Sequence, residues 1–320
     1  MSVDMHPLIK RFVHTLMMTS RVDRLYDRIL LNQGRMLCCL DCRVGGHYAL
    51  DDFSFKVFSQ WGEDGIIQFL IRNIDVGNNI FVELGVETFR ESNCRFLMMN
   101  NNWRGLVVDG SKYNINTIRS SYYYSMYDVR AVCSFITRDN VSSILQRASI
   151  PEDFGILSVD IDGMDYFILE ALFNWKPRII IAEYNSTLGE NIPLSVPYDP
   201  HFFRTKAHRS NLYYGANLNS IVKLLNERGY GFVGANRQRS NAFFVRRELL
   251  NESVKEVSWV PFGGGATFRE SRGTNGRLTA LDIEARKKEI ADMPVLDLNE
   301  GREITVGAAR SLERANHYGP

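Results

Sequence analysis

Ile80-Phe81-Val82-Glu83-Leu84-Gly85-Val86-Glu87 is the stretch on which the fold turns: a short apolar run, then a glycine, then an acid. An apolar run of this length bounded by glycine reads as a buried strand, and the glycine lets the backbone approach a ligand with no Cβ in the way. Four runs of the same kind follow at 106–109, 129–132, 156–160 and 179–183, separated by helix-length amphipathic stretches. That alternation predicts an α/β fold, a doubly wound and mostly parallel sheet. Four of the five runs end in or near an acid: Glu83, Asp109, Asp160 and Glu183. Ligands of open α/β sheets sit outside the carboxyl ends of the strands, so four acids on one edge predict a site there. Residues 231–233 and 241–245 predict a closing antiparallel pair, preceded by a helix at 221–228.

Outward from this core domain, assigned to 51–248, residues 1–50 form a helical N-terminal extension that ends at Gly45-Gly46. Residues 249–320 form a polar, glycine-rich appendage with Gly263-Gly264-Gly265, a charged helix near 278–290 and a mobile tail. No internal repeat is present. With 320 residues, 45% hydrophobic and 23% charged, the chain can bury a full core and is neither disordered nor fibrous. Its 38 basic and 37 acidic residues leave a net charge of +1, too little to gather nucleic acid. No run reaches the roughly 20 apolar residues of a membrane-spanning helix.

The basic amphipathic stretch 6–31 sets Leu8, Phe12, Leu16, Leu25 and Leu30 among Lys10, Arg11, Arg21, Arg24 and Arg28. Packing on its own domain is the expectation; peripheral contact with an anionic membrane, a partner helix or a homo-oligomer is left open. Five cysteines, an odd number with no secretory signal ahead of them, point to a reducing cytoplasm. Cys39 and Cys42 make a CxxC beside His47, but without a second pair they read as small, partly buried side chains rather than a zinc site.

Asp109, followed by Gly110 and Ser111, is placed to accept hydrogen bonds from a ribose. A nicotinamide enzyme would need G-x-G-x-x-G to seat a pyrophosphate. Here Val86, Glu87, Thr88 and Phe89 follow Gly85, and Glu87 would repel a phosphate. A cationic cofactor is the better match. Several ordered blocks then carry a resemblance: Ser59-Gln60-Trp61-Gly62-Glu63-Asp64-Gly65, Val82-Glu83-Leu84-Gly85-Val86 with Ser92-Asn93, and Trp103-Arg104-Gly105 leading to Asp109. Asp160-Ile161-Asp162-Gly163-Met164-Asp165-Tyr166, Glu183-Tyr184-Asn185, Tyr214-Gly215-Ala216 and Asn241-Ala242-Phe243-Phe244 complete the set.

Over 53–247 the chain resembles FkbM-type methyltransferases, a class I family dependent on S-adenosylmethionine (SAM). The resemblance implies a class I methyltransferase Rossmann-like fold and SAM held by Glu83, Gly85 and Asp109, with Ser111 beside Asp109 and help from Gln60, Glu63 and Asn93. It also implies a sugar or other polyhydroxylated acceptor, in glycan or natural-product biosynthesis. The chain departs from the family at Thr88-Phe89, where relatives carry an acid-glycine pair, and Phe89 is expected to crowd the methionine end of SAM.

Asp160, Asp162 and Asp165 follow one strand closely, and Glu183 and Asn185 end its neighbour. Carboxylates at that density need a cation, and hard oxygen ligands favour a divalent ion such as magnesium. The expected ligands are Asp160, Asp162, Glu183 and Asn185; the alternative makes Asp160 or Asp162 a helix cap and pairs Glu183 with an arginine. An ion there would activate a substrate hydroxyl. Residues 186–218, too long for a connector, are read as a substrate lid, with His208 the base preferred over His201 and Asp160 assisting. Tyr122-Tyr123-Tyr124 is read either as a stacking platform for adenine or sugar or as a buried helix end. The resulting expectation is a metal-assisted O-methyltransferase, with N-methylation, a nicotinamide oxidoreductase or a degenerate partner-binding protein as the rivals.

Overall fold

Apolar side chains on both faces of successive strands require a sheet covered on both sides. The computed structural model, which describes residues 7–40, 49–258 and 271–317, has that arrangement. In chain order come α1 (Pro7–Leu40), α2 (Glu63–Asn73), β1 (Ile80–Leu84), α3 (Arg95–Asn101), β2 (Arg104–Asp109), α4 (Lys112–Ser120) and β3 (Val129–Cys133). Next are α5 (Val141–Arg147), β4 (Asp153–Val159), α6 (Asp165–Ala171), β5 (Lys176–Glu183), β6 (Leu194–Ser195), α7 (Arg204–Ala207) and α8 (Leu218–Asn226). The chain closes with β7 (Tyr230–Ala235), β8 (Asn241–Arg246), α9 (Ile283–Glu289), β9 (Pro294–Asp297), β10 (Arg302–Thr305) and α10 (Val306–His317).

The main sheet has the order β3-β2-β1-β4-β5-β8-β7. β1 to β5 are parallel, while β8 runs antiparallel to both β5 and β7. This is the doubly wound, mostly parallel sheet that the alternation of elements predicts. Phe81, Val107, Ile156, Ile179 and Ile181 face one core, under α1 to α4. Their neighbours Val82, Leu106, Val108, Leu157 and Ile180 face the other, under α5, α6 and α8. Strand order reverses between β1 and β4, so the loops after β1, β2, β4 and β5 meet over one crevice.

The tail departs from expectation. β6, β9 and β10 form a second, three-stranded sheet, and α9 and α10 complete a third core with the base of the 186–218 segment. Val295, Ile290 and Val306 are buried there with Leu188, Leu194 and Leu212. Elements this short carry too little periodicity to be recognised in the sequence. Gly45-Gly46, Gly263-Gly264-Gly265, Cys42, His6 and His47 lie outside the described residues. Cys38 is buried and Cys39 exposed. Among the described residues, no helix is long and apolar enough to cross a membrane.

Asp64 anchors the loop before β1. Its Oδ2 accepts from the backbone N–H of Val57, Phe58 and Ser59 at 2.7–2.8 Å and from Ser59 Oγ at 2.7 Å. Burial nevertheless raises its carboxyl to about 6, against the lowering effect of those bonds. Asp64→Ala would strand three buried N–H donors, so chemical denaturation is expected to show a loss of about 3 kcal/mol or more. A loss under about 1 kcal/mol would mean the loop finds other acceptors.

Candidate active site at the carboxyl edge of the sheet

Gly85 fixes the geometry. It has φ +83°, and a Cβ on it would lie 1.7 Å from the carbonyl oxygen of Asp160. Its N–H donates to Val108 O at 2.9 Å, and Asp160 N donates to Leu84 O at 3.1 Å. Only glycine permits three strand ends to meet this closely. The cavity above them has a volume of about 370 Å³, within the range of ligand pockets. Gly85, Glu87, Asp109, Gly110 and Ser111 line one side; Asp160, Asp162 and Arg204 line the other, with Phe135, Tyr198, Phe202 and Phe203 supplying aromatic surface. Two larger clefts, of about 810 and 640 Å³, lie away from the strand ends, one beside α8 and one beneath α1.

Asp109 is buried, and its oxygens are largely committed. Oδ1 accepts from Ser111 N at 2.7 Å and Asn114 Nδ2 at 3.0 Å, and Oδ2 accepts from Glu87 N at 2.8 Å. A carboxylate oxygen offers two lone pairs, so Oδ2 keeps one for a ligand hydroxyl rather than the pair expected from sequence. Ser111 lines the cavity while its Oγ caps α4 by accepting from Asn114 N at 3.3 Å. Glu87 has φ +46°, and its carboxyl is raised by burial and then by Asp162 and Asp109.

Asp160, Asp162 and Glu183 each offer an oxygen, all within 4.8 Å of one another. Burial raises the Asp160 and Glu183 carboxyls well above the usual range, and the surrounding acids raise them further. Arg204 opposes this. Its Nη1 donates to Asp162 Oδ1 at 2.9 Å and lies 3.8 Å from Glu183 Oε1, while its guanidinium stacks 3.6 Å from the Tyr214 ring centre. Glu183 Oε2 is buried and accepts no hydrogen bond. The alternative that pairs Glu183 with an arginine is therefore half realised: an arginine is there, yet one buried oxygen still has no donor.

Several expected ligands are engaged elsewhere. Glu83 turns onto the start of α3, accepting from Ser92 Oγ at 2.6 Å, Asn93 N at 2.8 Å and Cys94 N at 3.2 Å, and burial raises it to about 7. Asn93 Nδ2 donates to Ser158 Oγ. Glu63 accepts from Trp61 N and from the amides of Asn236 and Asn241, tying α2 to the β7–β8 turn, and Gln60 is exposed. None of these four lines the cavity. Asn185 leaves the metal set, because its Nδ2 donates to Leu212 O and Tyr214 O and its Oδ1 accepts from Thr187 N. Asp165 likewise pins its own loop by accepting from Ile161 N and Gly163 N.

His208 does not reach the cavity; its Nδ1 sits 2.7 Å from Ser210 Oγ, and burial and then Arg209 lower its pKa. His201 is exposed and also outside the lining. Tyr122 and Tyr123 face the cleft beneath α1 instead, where Tyr122 OH donates to Asp27. Phe89 is fully buried against Tyr123 and cannot crowd a ligand. Phe135 and Ile136, after β3, were invisible as site residues in the sequence. Their one signal is position, since every loop after a parallel strand faces this edge.

No protein-family model matches the chain, and no curated protein does. Solved structures do. An S-adenosylmethionine-dependent methyltransferase from Clostridium acetobutylicum is 12% identical, with 57% of this chain and 88% of that one covered and a TM-score of 0.34. An O-methyltransferase from Bacillus cereus in complex with SAH is 12% identical over 67% and 88%, with a TM-score of 0.39. The N-terminal domain of EvdMO1 with SAH bound is 11% identical over 68% and 94%, with a TM-score of 0.37. Likenesses this loose carry no chemistry over to this chain.

Ionising Asp160 and Glu183 costs more in the folded chain than in the unfolded one, because both folded values are raised. Their contribution to stability is thus full below the ordinary carboxylate range and is lost as pH rises through the raised values. A cation that binds the ionised trio competes with those protons. The thermal stabilisation given by magnesium is expected to grow as pH rises above the ordinary carboxylate range through the raised values, and to vanish in Glu183→Gln. Stabilisation independent of pH would place the ion elsewhere.

Proposed function

We propose that this chain is an S-adenosylmethionine-dependent methyltransferase that methylates an oxygen of a sugar or other polyhydroxylated small molecule, assisted by a divalent cation. The observation that carries the reading is the cavity at the carboxyl edge, lined by a glycine turn, Asp109, Asp160 and Asp162, with Glu183 within 4.8 Å of the last two.

The lining suits a cationic cofactor. Glu87, Asp109, Asp160 and Asp162 concentrate negative charge where a sulfonium and an ammonium would be stabilised. Gly85, Asp109 and Ser111 would hold the nucleoside and amino-acid parts, with Phe135 and Ile136 against the base. Asp160, Asp162 and Glu183 would hold the ion, since an oxygen of each lies within 4.8 Å of the others. When bound, SAM supplies an electrophilic methyl group, and a divalent ion supplies positive charge that eases loss of an acceptor proton.

The chain's own residues do the rest. Asp160, which lines the cavity while His208 lies outside it, is the group that would take the acceptor proton in this scheme. Phe202, Phe203 and Tyr198 line the cavity and would screen a bound acceptor from water. A second reading has one observation of its own: the Arg204 guanidinium rests on Asp162 and against Tyr214, so the same acids can seat a nitrogen cation. That favours an amine or guanidine acceptor as the alternative to a hydroxyl.

Calorimetric titration of chelator-treated protein with S-adenosylhomocysteine, with and without magnesium, tests the reading. Binding is expected, weakened at least about tenfold by Asp109→Ala. Glu183→Gln is expected to leave that binding intact and to abolish only the effect of magnesium. No binding under either condition would sink the methyltransferase assignment.

A further inference from the structure

The cleft beneath α1 has no part in the scheme above. Its volume of about 640 Å³ is within the range of ligand pockets, and α1, the loop before α2, the loop after β1 and the end of α4 line it. The buried part of that lining is polar. Arg95 and Asp27, each more than nine-tenths buried, pair there. The Arg95 guanidinium lies 4.3 Å from the ring centre of Phe58 and 4.7 Å from that of Tyr123. Its Nη1 donates to Arg90 O at 3.3 Å and its Nη2 to Asp27 Oδ2, while Nε is buried with no acceptor. Tyr122 OH also donates to Asp27 Oδ2, at 2.7 Å, which leaves Oδ1 to accept elsewhere. A buried ion pair is a costly way to seat a helix, and a buried guanidinium with a donor unpaired costs more still. The pair therefore calls for a use beyond docking α1.

The charges on the lining cancel. Lys56 pairs with Glu91 at 3.4 Å, Arg90 with Asp23 at 3.6 Å and Arg95 with Asp27. Three cations against three acids leave no net field to draw in an ion.

The hydroxyls decide what kind of ligand suits this lining. Thr117 Oγ1 donates to Tyr113 O, Ser120 Oγ to Thr117 O and Ser121 Oγ to Ile118 O. With its one proton spent, each has only lone pairs to offer a ligand. An anion would bring acceptors alone to these oxygens and to three carboxylates. A cation would bring donors alone to Lys56, Arg90 and Arg95. A ligand hydroxyl both donates and accepts, so it satisfies either kind of partner. Between the polar groups, Tyr26, Leu30, Val57 and Phe58 give apolar surface that suits the C–H face of a ring carrying such hydroxyls.

We infer that this cleft is a second binding site, for a neutral saccharide, distinct from the cavity at the strand ends. The loop after β1 borders both: Gly85 and Glu87 line the cavity, and Thr88, Arg90 and Glu91 line the cleft. A saccharide held here requires no methyl transfer, so this site stands or falls apart from the S-adenosylmethionine reading.

Saturation-transfer NMR on the full chain tests the site, with maltose, lactose and cellobiose as neutral probes and glucuronate and glucosamine as charged ones. Transfer to at least one neutral disaccharide is expected, stronger than to either charged sugar. It is expected to disappear in Tyr26→Ala, which removes a wall, and in Ser120→Trp, which fills the cleft. Asp162→Asn, which alters the strand-end cavity, is expected to leave it in place. Tyr26 and Ser120 are exposed, so both cleft variants are expected to keep the wild-type far-ultraviolet circular dichroism spectrum; should one lose it, the other decides. No transfer to any of the three disaccharides would overturn the site. Stronger transfer to glucuronate or glucosamine would overturn it too, in favour of an ion site. A signal that survives both cleft variants, or that is lost in Asp162→Asn, would also overturn it and put the sugar in the strand-end cavity.

Discussion

The contact between Gly85 and the carbonyl of Asp160 is the constraint from which the site follows. A strand end with a side chain at that position would hold β1 and β4 apart, because its Cβ would fall inside the Asp160 carbonyl. With glycine there, the chain leaves β1 in the left-handed region, and Glu87 N then reaches Asp109 Oδ2 across β2. One backbone approach thereby links the ends of β1, β2 and β4. The acids at those ends, which repel one another, are held in range by main-chain packing that they did not create.

That repulsion is stored in the site and only partly relieved. Asp160 and Glu183 hold their protons more tightly than ordinary carboxyls because they are buried among other acids, and Arg204 is the cation that faces them. Arg204 belongs to α7, in a segment whose residues 198–205 line the cavity. Its position depends in turn on the C-terminal appendage. Tyr213 OH donates to Pro294 O, Arg209 pairs with Glu289, and β6 pairs with β9. The appendage packs on the segment that carries Arg204.

Several sequence blocks that read as ligand motifs hold one another instead. Glu83 is bonded by Ser92, Asn93 and Cys94; Glu63 by Asn236 and Asn241; Asn185 by the backbone of 212–214. Each pair joins segments that a motif scan treats separately. A buried acid satisfied by nearby amides and a buried acid waiting for a ligand look alike in sequence, since both need a polar residue at a strand end.

What the sequence determined by itself was the periodic part. Five apolar runs with helices between them specify a parallel sheet, Gly85 specifies a turn, and four strand ends carry acids along one edge. Local spacing carries those signals, and they stand in the structure with boundaries moved by a few residues. Which acids face the cavity was decided by tertiary structure alone. Asp109 and Asp160 point into it and Glu83 away, because a carboxyl is steered by whichever donors the fold brings near, and those donors come from distant segments. Arg204, Phe135 and the β9–β10 pair belong to the same class. Their roles rest on contacts between segments far apart in the chain, and such contacts leave no period in it.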